Sequence, residues 1–164
     1  MLGWNGNDIL YGDDPYDTAG VIGNDKLRGG NGSDQLYGGP GNDHLQGEQG
    51  ADILVGGAGA DLFVFASLNS NTPSFIDTIR DFDKTSTTLD KIDFRAIDTN
   101  LSLAGDQAFT FVNTNNFVND GVARVRWFQS GTDTFVQADT GDGIADLHIK
   151  LTGTYTLSAT DFNL

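Results

Sequence analysis

Residues 29–46 read GGNGSDQLYGGPGNDHLQ, two nearly identical nine-residue units in a row. In both units glycine holds the first, second and fourth positions, aspartate the sixth and leucine the eighth. Glycine loses more conformational freedom on folding than any other residue, so this density of glycine requires a structural reason. Repetition at a fixed short period is typical of solenoid folds, in which each unit stacks on its neighbours.

The repeat extends in both directions from this stretch. A frame that starts at Gly3 gives seven units ending at residue 64, of which the second, residues 12–19, is one residue short. The eighth position is apolar throughout, which argues against a flexible glycine-rich linker. The sixth position is always aspartate: Asp8, Asp17, Asp25, Asp34, Asp43, Asp52 and Asp61.

The local geometry of one unit follows from its composition. Its last three residues form a short strand whose middle, apolar residue points inward. The glycines before it allow the tight turn that reverses the chain. Each unit is then half of a coil, and alternate units stack on each other. This predicts the aspartate pairs 25/43, 34/52 and 43/61, with 8/25 and 17/34 if the short unit keeps the alternation.

Stacked carboxylates repel one another or take up protons unless a cation lies between them. Calcium accepts six to eight oxygen ligands, which two aspartates and the carbonyls of the glycine turns can supply. Magnesium is disfavoured by its strict octahedral geometry, and zinc by the absence of cysteine. We expect three to five calcium ions in residues 1–65. The glycines expected at these sites are Gly23, Gly30, Gly32, Gly39, Gly41, Gly50, Gly57 and Gly59.

Composition restricts the partners of the chain. The formal net charge is -14, so nucleic acid, which needs a basic face, is excluded as a partner. No run of 18 apolar residues exists, and no transmembrane segment is expected. The first ten residues, MLGWNGNDIL, lack the basic and apolar regions of a cleavable signal peptide.

After residue 65 glycine becomes rarer and short alternating stretches appear. Strands are expected within residues 75–82, 90–94, 108–112, 123–128, 133–139, 145–151 and 156–164, with a loop at 97–107. We expect an all-β protein: a parallel β-roll in residues 1–65, continued and capped by a C-terminal antiparallel β-sandwich in residues 66–164.

The nine-residue unit resembles the G-G-x-G-x-D-x-U-x repeat of the RTX calcium-binding proteins, which form a parallel β-roll. The stretches GADLFVFA, DTIRDFD, LDKIDFRAID and GDGIADLHIKLTG resemble the C-terminal domain of serralysin-type metallopeptidases of family M10. The resemblance implies a module of a larger bacterial protein, secreted to the extracellular space. It also implies an uncleaved signal for an ABC-type (type I) secretion apparatus at the C-terminus: Asp161, Phe162, Asn163 and Leu164.

Four further aspartates are weaker candidates for calcium. Asp77, Asp81 and Asp83 follow the last repeat and are candidates to complete a site at the end of the roll. Asp142 lies in the stretch 139–146, whose ligand spacing fails the EF-hand rule, so that a hairpin turn is favoured there over a calcium site.

The chain carries no catalytic motif of the H-E-x-x-H, G-x-S-x-G or G-K-[ST] type, so we expect no enzymatic activity. A catalytic domain, such as a metallopeptidase, lipase or epimerase, would lie elsewhere in the parent protein. The alternative function is a module that binds an acidic polysaccharide of the alginate type. Arg124 and Arg126, beside Trp127 on one strand, are the candidate anion-binding residues for that alternative.

Overall fold

The computed structural model describes residues 1–14, 22–67, 75–84, 89–97 and 108–164. Within these ranges the chain consists of β-strands and one short 3-10 helix, Ala159–Asp161, which confirms the all-β class. The strands are β1 Leu2–Asn5, β2 Ile9–Tyr11, β3 Lys26–Asn31, β4 Gln35–Pro40, β5 His44–Gln49, β6 Ile53–Ala58, β7 Leu62–Val64, β8 Asp77–Ile79, β9 Lys91–Asp93, β10 Thr110–Phe111, β11 Arg124–Ser130, β12 Asp133–Asp139, β13 Leu147–Leu151 and β14 Phe162–Asn163. No helix in the described part of the chain has the length and hydropathy needed to cross a membrane.

Successive strands of the repeat alternate between two sheets. One sheet has the order β1-β3-β5-β7-β9-β14, and the other has the order β10-β11-β12-β13-β8-β6-β4-β2. Strand β3 pairs in parallel with β5 through Leu27 and Leu45, and β4 pairs in parallel with β6 through Leu36 and Leu54. Each nine-residue unit is therefore half a coil, here called a half-coil, and the predicted parallel β-roll is confirmed.

The eighth position of the repeat forms the core of the roll. Burying one such apolar side chain contributes roughly 1.5–3 kcal/mol. The stacked residues are at most 3 % exposed: Leu10, Leu27, Leu36, Leu45, Leu54 and Phe63 from the repeat, then Ile79 and Ile92 beyond it.

The repeat strands are longer than the three residues expected. Strands β3 to β6 each have six residues, because pairing continues through the first three positions of the following unit. Glycine at the second position permits this through a positive φ. A Cβ added at Gly30, whose φ is +111°, would lie 2.2 Å from the carbonyl oxygen of Trp4 in the turn above.

The short second unit is not a half-coil of its own, contrary to the predicted frame. The N–H of Gly12 donates to the carbonyl of Tyr37, and that of Asp13 donates to the carbonyl of Gly38. Lys26 pairs with His44, which lies in the unit that starts at Gly38. Residues 12–14 and 23–28 thus form one nine-residue half-coil, interrupted by an insertion at 15–22. Of this insertion, residues 15–21 lie outside the described part of the chain.

Both sheets continue across the boundary expected at residue 65. Strand β8 pairs with β6 through Ile79 and Leu54, and β9 pairs with β7 through Ile92 and Phe63. The hairpin-connected strands β11, β12 and β13 are antiparallel, as expected, and β13 joins the roll by pairing in parallel with β8. The C-terminal half caps the roll by extending its sheets. Of the expected loop 97–107, residues 98–107 are not described.

Candidate metal centre

The sixth-position aspartates form two columns along the roll. In each column the backbone N–H of one aspartate donates to Oδ1 of the aspartate in the next turn, at 2.8–2.9 Å. Column 1 contains Asp8, Asp34, Asp52 and Asp77. Column 2 contains Asp25, Asp43, Asp61 and Asp90. The sequence therefore places one carboxylate between every two consecutive turns of a column.

The second oxygen of each repeat carboxylate, Oδ2, differs from Oδ1 in its surroundings. In Asp8, Asp25, Asp34, Asp43, Asp52 and Asp61, Oδ2 is buried and has no hydrogen-bond partner among the described residues. A buried anionic oxygen without a hydrogen-bond partner is costly, so a row of six is typical of a site that binds a positively charged group.

The first-position glycines show where these oxygens point. A Cβ added at Gly29, Gly38, Gly47 or Gly56 would lie 2.1–2.4 Å from Oδ2 of the aspartate in the same half-coil. Each of these Oδ2 atoms therefore lies against glycine backbone that carries no side chain. Hard oxygen atoms held against bare backbone suit calcium, which takes carboxylate and carbonyl ligands together.

Glycines at the other predicted positions line the turns between the columns. Gly30, Gly32, Gly39, Gly41, Gly50, Gly57 and Gly59 have a positive φ, whereas Gly23 does not. A Cβ added at Gly41 would lie only 1.6 Å from the carbonyl oxygen of Gly23, and one at Gly59 only 1.7 Å from that of Gly41. Only glycine allows these carbonyls to approach the adjacent turn so closely.

Electrostatics in the columns oppose ionisation of the carboxyls. Burial raises the pKa of Asp61 to about 7 and that of Asp52 to about 6, and neighbouring carboxylates add to the shift. Burial likewise raises the pKa of Asp34 and Asp43. The backbone hydrogen bonds along the columns lower these values and offset the burial only in part. A divalent cation between the turns would restore the charged form.

The structure changes the predicted pairing at the start of the roll. Asp8 pairs with Asp34, and the predicted pair 8/25 is wrong, because the insertion removes one half-coil from the count. Asp25 pairs with Asp43 as expected. Asp17, and with it the predicted pair 17/34, lies outside the described residues.

At the C-terminal end of the roll the columns gain two aspartates. Asp77, a candidate because it follows the last repeat, continues column 1. Asp90, which was not predicted, continues column 2. The signal for both was the truncated pattern D-x-U-x, in DTIR (77–80) and DKID (90–93). Burial is the main cause that raises the pKa of Asp90 to about 6.

Asp81 and Asp83 lie beside this end of the roll. The carboxylate of Asp81 accepts the N–H groups of Gly56 and Gly57, at 3.0 and 2.8 Å. The N–H of Asp83 donates to Oδ2 of Asp90 at 2.7 Å. Asp81 thus places an additional carboxylate beside Gly56 and Gly57, the first two positions of the last half-coil.

Asp142 lies in a tight turn after β12. Its carboxylate and those of Asp139 and Asp146 have oxygens within 4.8 Å of one another. The buried carboxylate of Asp139 accepts the N–H groups of Gly141, Asp142 and Gly143. The carboxylate of Asp146 accepts the N–H and the hydroxyl of Thr140. Backbone and hydroxyl donors therefore satisfy the two outer carboxylates, in the manner of a hairpin turn.

The four C-terminal residues are built into the fold. Asp161 is buried and accepts a hydrogen bond of 2.6 Å from Lys84 Nζ, and Ser158 caps it through N–H and hydroxyl. Phe162 stacks on Phe94 in the core. Asn163 pairs with β9, and Leu164 packs against the core.

The residues predicted for anion binding do not share one face. Trp127 is buried on the side of β11 opposite to Arg124 and Arg126. Arg124 donates to both carboxylate oxygens of Asp120, at 2.6 and 2.7 Å. Arg126 donates to Gln137 and lies 4.6 Å above the ring of Phe117. These arginines are already engaged within the protein.

Two stacks of acidic turns, whose buried Oδ2 atoms have no partner in the described part of the chain, define a calcium-binding β-roll. The family described as the RTX calcium-binding nonapeptide repeat (4 copies) matches residues 1–18, 20–45 and 28–63. No curated protein matches the chain by sequence.

Among the solved structures that match this chain, two are similar to it over nearly its whole length. The R3 subunit of a mannuronan C5-epimerase from Azotobacter vinelandii is 30% identical over 98% of this chain and 80% of its own, with a TM-score of 0.63. The R2 subunit from the same source is 30% identical over 99% of this chain and 90% of its own, also with a TM-score of 0.63. The chain belongs to this family of RTX calcium-binding repeat modules. The serralysin-type likeness, which spans the chain from Gly3 to Leu164, stays a prediction.

Proposed function

We propose that the chain is a non-catalytic module that folds when it binds calcium outside the cell, as part of a larger secreted bacterial protein. The observation that carries this proposal is the row of six buried Oδ2 atoms in the two columns that have no hydrogen-bond partner among the residues the structure describes. These atoms make the calcium-free roll electrostatically costly and the calcium-bound roll favourable.

The proposed ligands are the sixth-position aspartates together with backbone carbonyls of the glycine turns. The pairs 8/34, 25/43, 34/52 and 43/61 give four positions for ions, within the three to five that we expect in the repeat. The pairs 52/77 and 61/90, with Asp81 and Asp83 beside them, offer two more at the end of the roll. Calcium would supply positive charge there, and the chain would supply hard oxygens.

The calcium concentration of the two compartments supports a folding switch. Extracellular calcium modules bind with dissociation constants of about 10⁻⁴–10⁻³ M. At the low free calcium of a cytoplasm, repulsion within the columns would keep the roll unfolded. Outside, several ions binding the folded state only would stabilise it together.

The C-terminal segment fits this sequence of events. We propose that Asp161, Phe162, Asn163 and Leu164 are a type I secretion signal read by an ABC-type transporter. In the folded chain Asp161 and Phe162 are buried, and β14 is paired with β9. A transporter would therefore reach this segment only in the unfolded, calcium-free chain.

Circular dichroism and metal analysis test the calcium-driven folding. We expect a coil-like spectrum in chelator and a β-type spectrum in millimolar calcium, with three or more ions bound per chain after dialysis. A spectrum indifferent to calcium, or fewer than two bound ions, would reject the proposal. For export, a passenger fused to the chain should leave cells that contain an ABC-type secretion system, and deletion of residues 161–164 should retain it.

A second candidate function is binding of an acidic polysaccharide, favoured by the outer face of the six-stranded sheet. Lys26 and His44 are exposed neighbours on β3 and β5, and Arg28 follows two residues after Lys26. Three adjoining grooves all include Arg28, and one of them includes the exposed Trp4. A cationic strand with an adjacent aromatic ring suits a chain of uronate sugars. The two similar structures are subunits of an enzyme named for a polyuronate, mannuronan.

Calorimetry with a defined oligomannuronate tests this second function. Arg28→Gln should weaken binding at least fivefold. Arg124→Gln is the matched control, because Arg124 lies on the other sheet and lines none of these three grooves. Equal binding by the Arg28 variant, or equal binding of a neutral glucan, would argue against a polyuronate site on this face.

A further inference from the structure

The interrupted half-coil, residues 12–14 and 23–28, contains a carboxylate at a position where the repeat pattern has glycine. Asp13 occupies its second position, stacked on Gly39 of the next turn through the hydrogen bond from Asp13 N–H to the carbonyl of Gly38. The other half-coils have these residues at the second position: Trp4, Gly30, Gly39, Glu48 and Gly57. Asp13 is therefore an addition that accompanies the insertion at residues 15–22.

We infer that Asp13 is a third carboxylate ligand of the calcium position between Asp25 and Asp43, which makes this position the tightest in the roll. The inference rests on the calcium-binding function proposed above and concerns one position in it.

The side chain of Asp13 points inward, between the glycines of two turns. A Cβ added at Gly39 would lie 2.8 Å from Oδ2 of Asp13. One added at Gly23 would lie 3.4 Å from Oδ1 of Asp13 and 2.7 Å from Oδ2 of Asp25. The carboxylates of Asp13 and Asp25 thus converge on the same bare backbone at Gly23.

The third carboxylate of the group provides an independent sign of a ligand. Asp43 is 0 % exposed, and its Oδ2 has no partner within the described ranges. Oδ2 of Asp13 is also buried and without a hydrogen-bond partner in that part of the chain. Three such carboxylates together are untenable without a cation.

Glu48, the other acidic residue at a second position, shows what an ordinary surface carboxylate does there. Its φ is +74°, and its carboxylate lies 3.0 Å from Arg28 Nε on the outer face of the sheet. Asp13 does not have a positive φ and forms none of the ion pairs found among the described residues. The inward orientation of Asp13 is therefore specific to it.

A third carboxylate has a direct consequence for affinity. Calcium sites gain affinity with the number of charged ligands and with their rigidity. The position between Asp25 and Asp43 would thus fill at lower calcium than the positions that have two aspartates. It also lies at the base of the insertion, where ion binding would hold together the two parts of the interrupted half-coil and offset the entropy of closing that loop.

Calorimetric titration of calcium into the full chain tests the inference. Asp13→Asn should weaken the tightest binding constant about tenfold or more and leave the others unchanged. Asp14→Asn is the matched control, since it removes the same charge from the adjacent, exposed residue and should bind calcium as the original chain does. An Asp13→Asn isotherm identical to that of the original chain would overturn the inference.

Two further measurements keep the test decisive if Asp13→Asn does not fold. Asp13→Gly restores the glycine present at Gly30, Gly39 and Gly57, and should fold in saturating calcium with the same weakened constant. In the unaltered ¹³C-labelled chain, the Asp13 Cγ resonance should shift with the first equivalent of calcium. If that resonance does not respond while the chain binds calcium, only the inference about Asp13 fails. If the chain binds no calcium at all, the proposed function fails.

Discussion

The carboxylate of Asp90 accepts a hydrogen bond of 2.9 Å from the backbone N–H of Asp61, 29 residues earlier in the chain. Asp61 accepts the same bond from Asp43, so the aspartate column continues into a region that lacks the glycine repeat. Oδ2 of Asp61 is nevertheless buried and unpartnered within the described residues. The columns are therefore stabilised by a cation or a proton and destabilised by bare ionisation, and this determines how variants should behave.

The effect of replacing a central aspartate on the free energy of unfolding should be opposite in the presence and in the absence of calcium. Asp43→Asn removes a carboxylate from two positions, 25/43 and 43/61, while Asn can still accept the N–H of Asp25. In calcium we expect the free energy of unfolding to fall by about 2.7 kcal/mol for each site that was filled at a hundredfold excess over its Kd. In chelator the variant should be at least as stable as the original chain, because a buried charge is gone.

Urea denaturation in calcium, and the β-type circular dichroism that remains in chelator, measure this difference. Asp120→Asn is the control: Asp120 is surface-exposed and ion-paired with Arg124, so its loss should cost little in either condition. Equal destabilisation of the Asp43 variant in calcium and in chelator would indicate a purely structural role for that carboxylate.

Alanine substitution should be far more damaging at glycines that contact the adjacent turn than at glycines that only have a positive φ. Gly41→Ala places a Cβ 1.6 Å from the carbonyl oxygen of Gly23, and its φ of +144° is unfavourable for alanine. We expect this variant to lose the calcium-induced β-type spectrum, because the two turns are forced apart. Gly131→Ala, with a φ of +63° and no atom within 4 Å of the added Cβ, should cost only about 1 kcal/mol.

Circular dichroism during calcium titration distinguishes the two glycine variants. If Gly41→Ala folds in calcium as readily as Gly131→Ala, close contact between adjacent turns is not a requirement of the roll.

The sequence predicted the roll because its period fixes the register. Once Leu27 and Leu45 are 18 residues apart with identical surroundings, stacking of alternate units follows, and so do the columns through Asp25 and Asp43. The insertion at 15–22 was not predicted, because Asp17 falls at the sixth position of a plausible short unit. The pairing of Asp8 with Asp34 and the hydrogen bond from Asp13 to Gly38 distinguish an insertion from a repeat.

The continuation past residue 65 was predictable only in part. Asp77 and Asp90 keep the D-x-U-x half of the repeat and lack the glycines before it. Their place in the columns depends on tertiary pairing of β8 with β6 and of β9 with β7, which no local pattern encodes. The same holds for the burial of Asp161 against Lys84, which joins residues 77 positions apart.

The calcium-free roll should become less stable as pH rises. Burial raises the pKa of Asp61 to about 7, and those of Asp52 and Asp90 to about 6, from an ordinary value of 3.8. Because the folded state binds these protons more tightly than the unfolded state, the stabilisation is complete below about pH 4. It should be lost as pH rises through 6 to 7. Calcium should reverse the trend, since bound ions require deprotonated ligands.

The β-type circular dichroism of exhaustively decalcified protein, measured between pH 4 and 8, tests this dependence, because protonation of these carboxyls should restore the roll at low pH. Asp61→Asn should flatten the portion of the curve near pH 7. A calcium-free stability that increases from pH 5 to pH 8 would contradict buried, unpartnered carboxyls as the origin of calcium dependence.

The ion pair between Lys84 and Asp161 should control access to the C-terminal residues. Lys84 Nζ also donates to the carbonyl of Thr156, so it binds both ends of the segment 156–161 that precedes β14. Lys84→Ala leaves the buried carboxylate of Asp161 without its cation, and loss of one partner of a buried pair is strongly destabilising. In calcium, carboxypeptidase should remove Leu164 and Asn163 from this variant several times faster than from the original chain. Lys150→Ala, which breaks the partly exposed pair with Asp133 on the other sheet, should leave the rate unchanged. Equal rates in all three proteins would mean that pairing of β14 with β9 and packing of Phe162 protect the terminus without the help of Lys84.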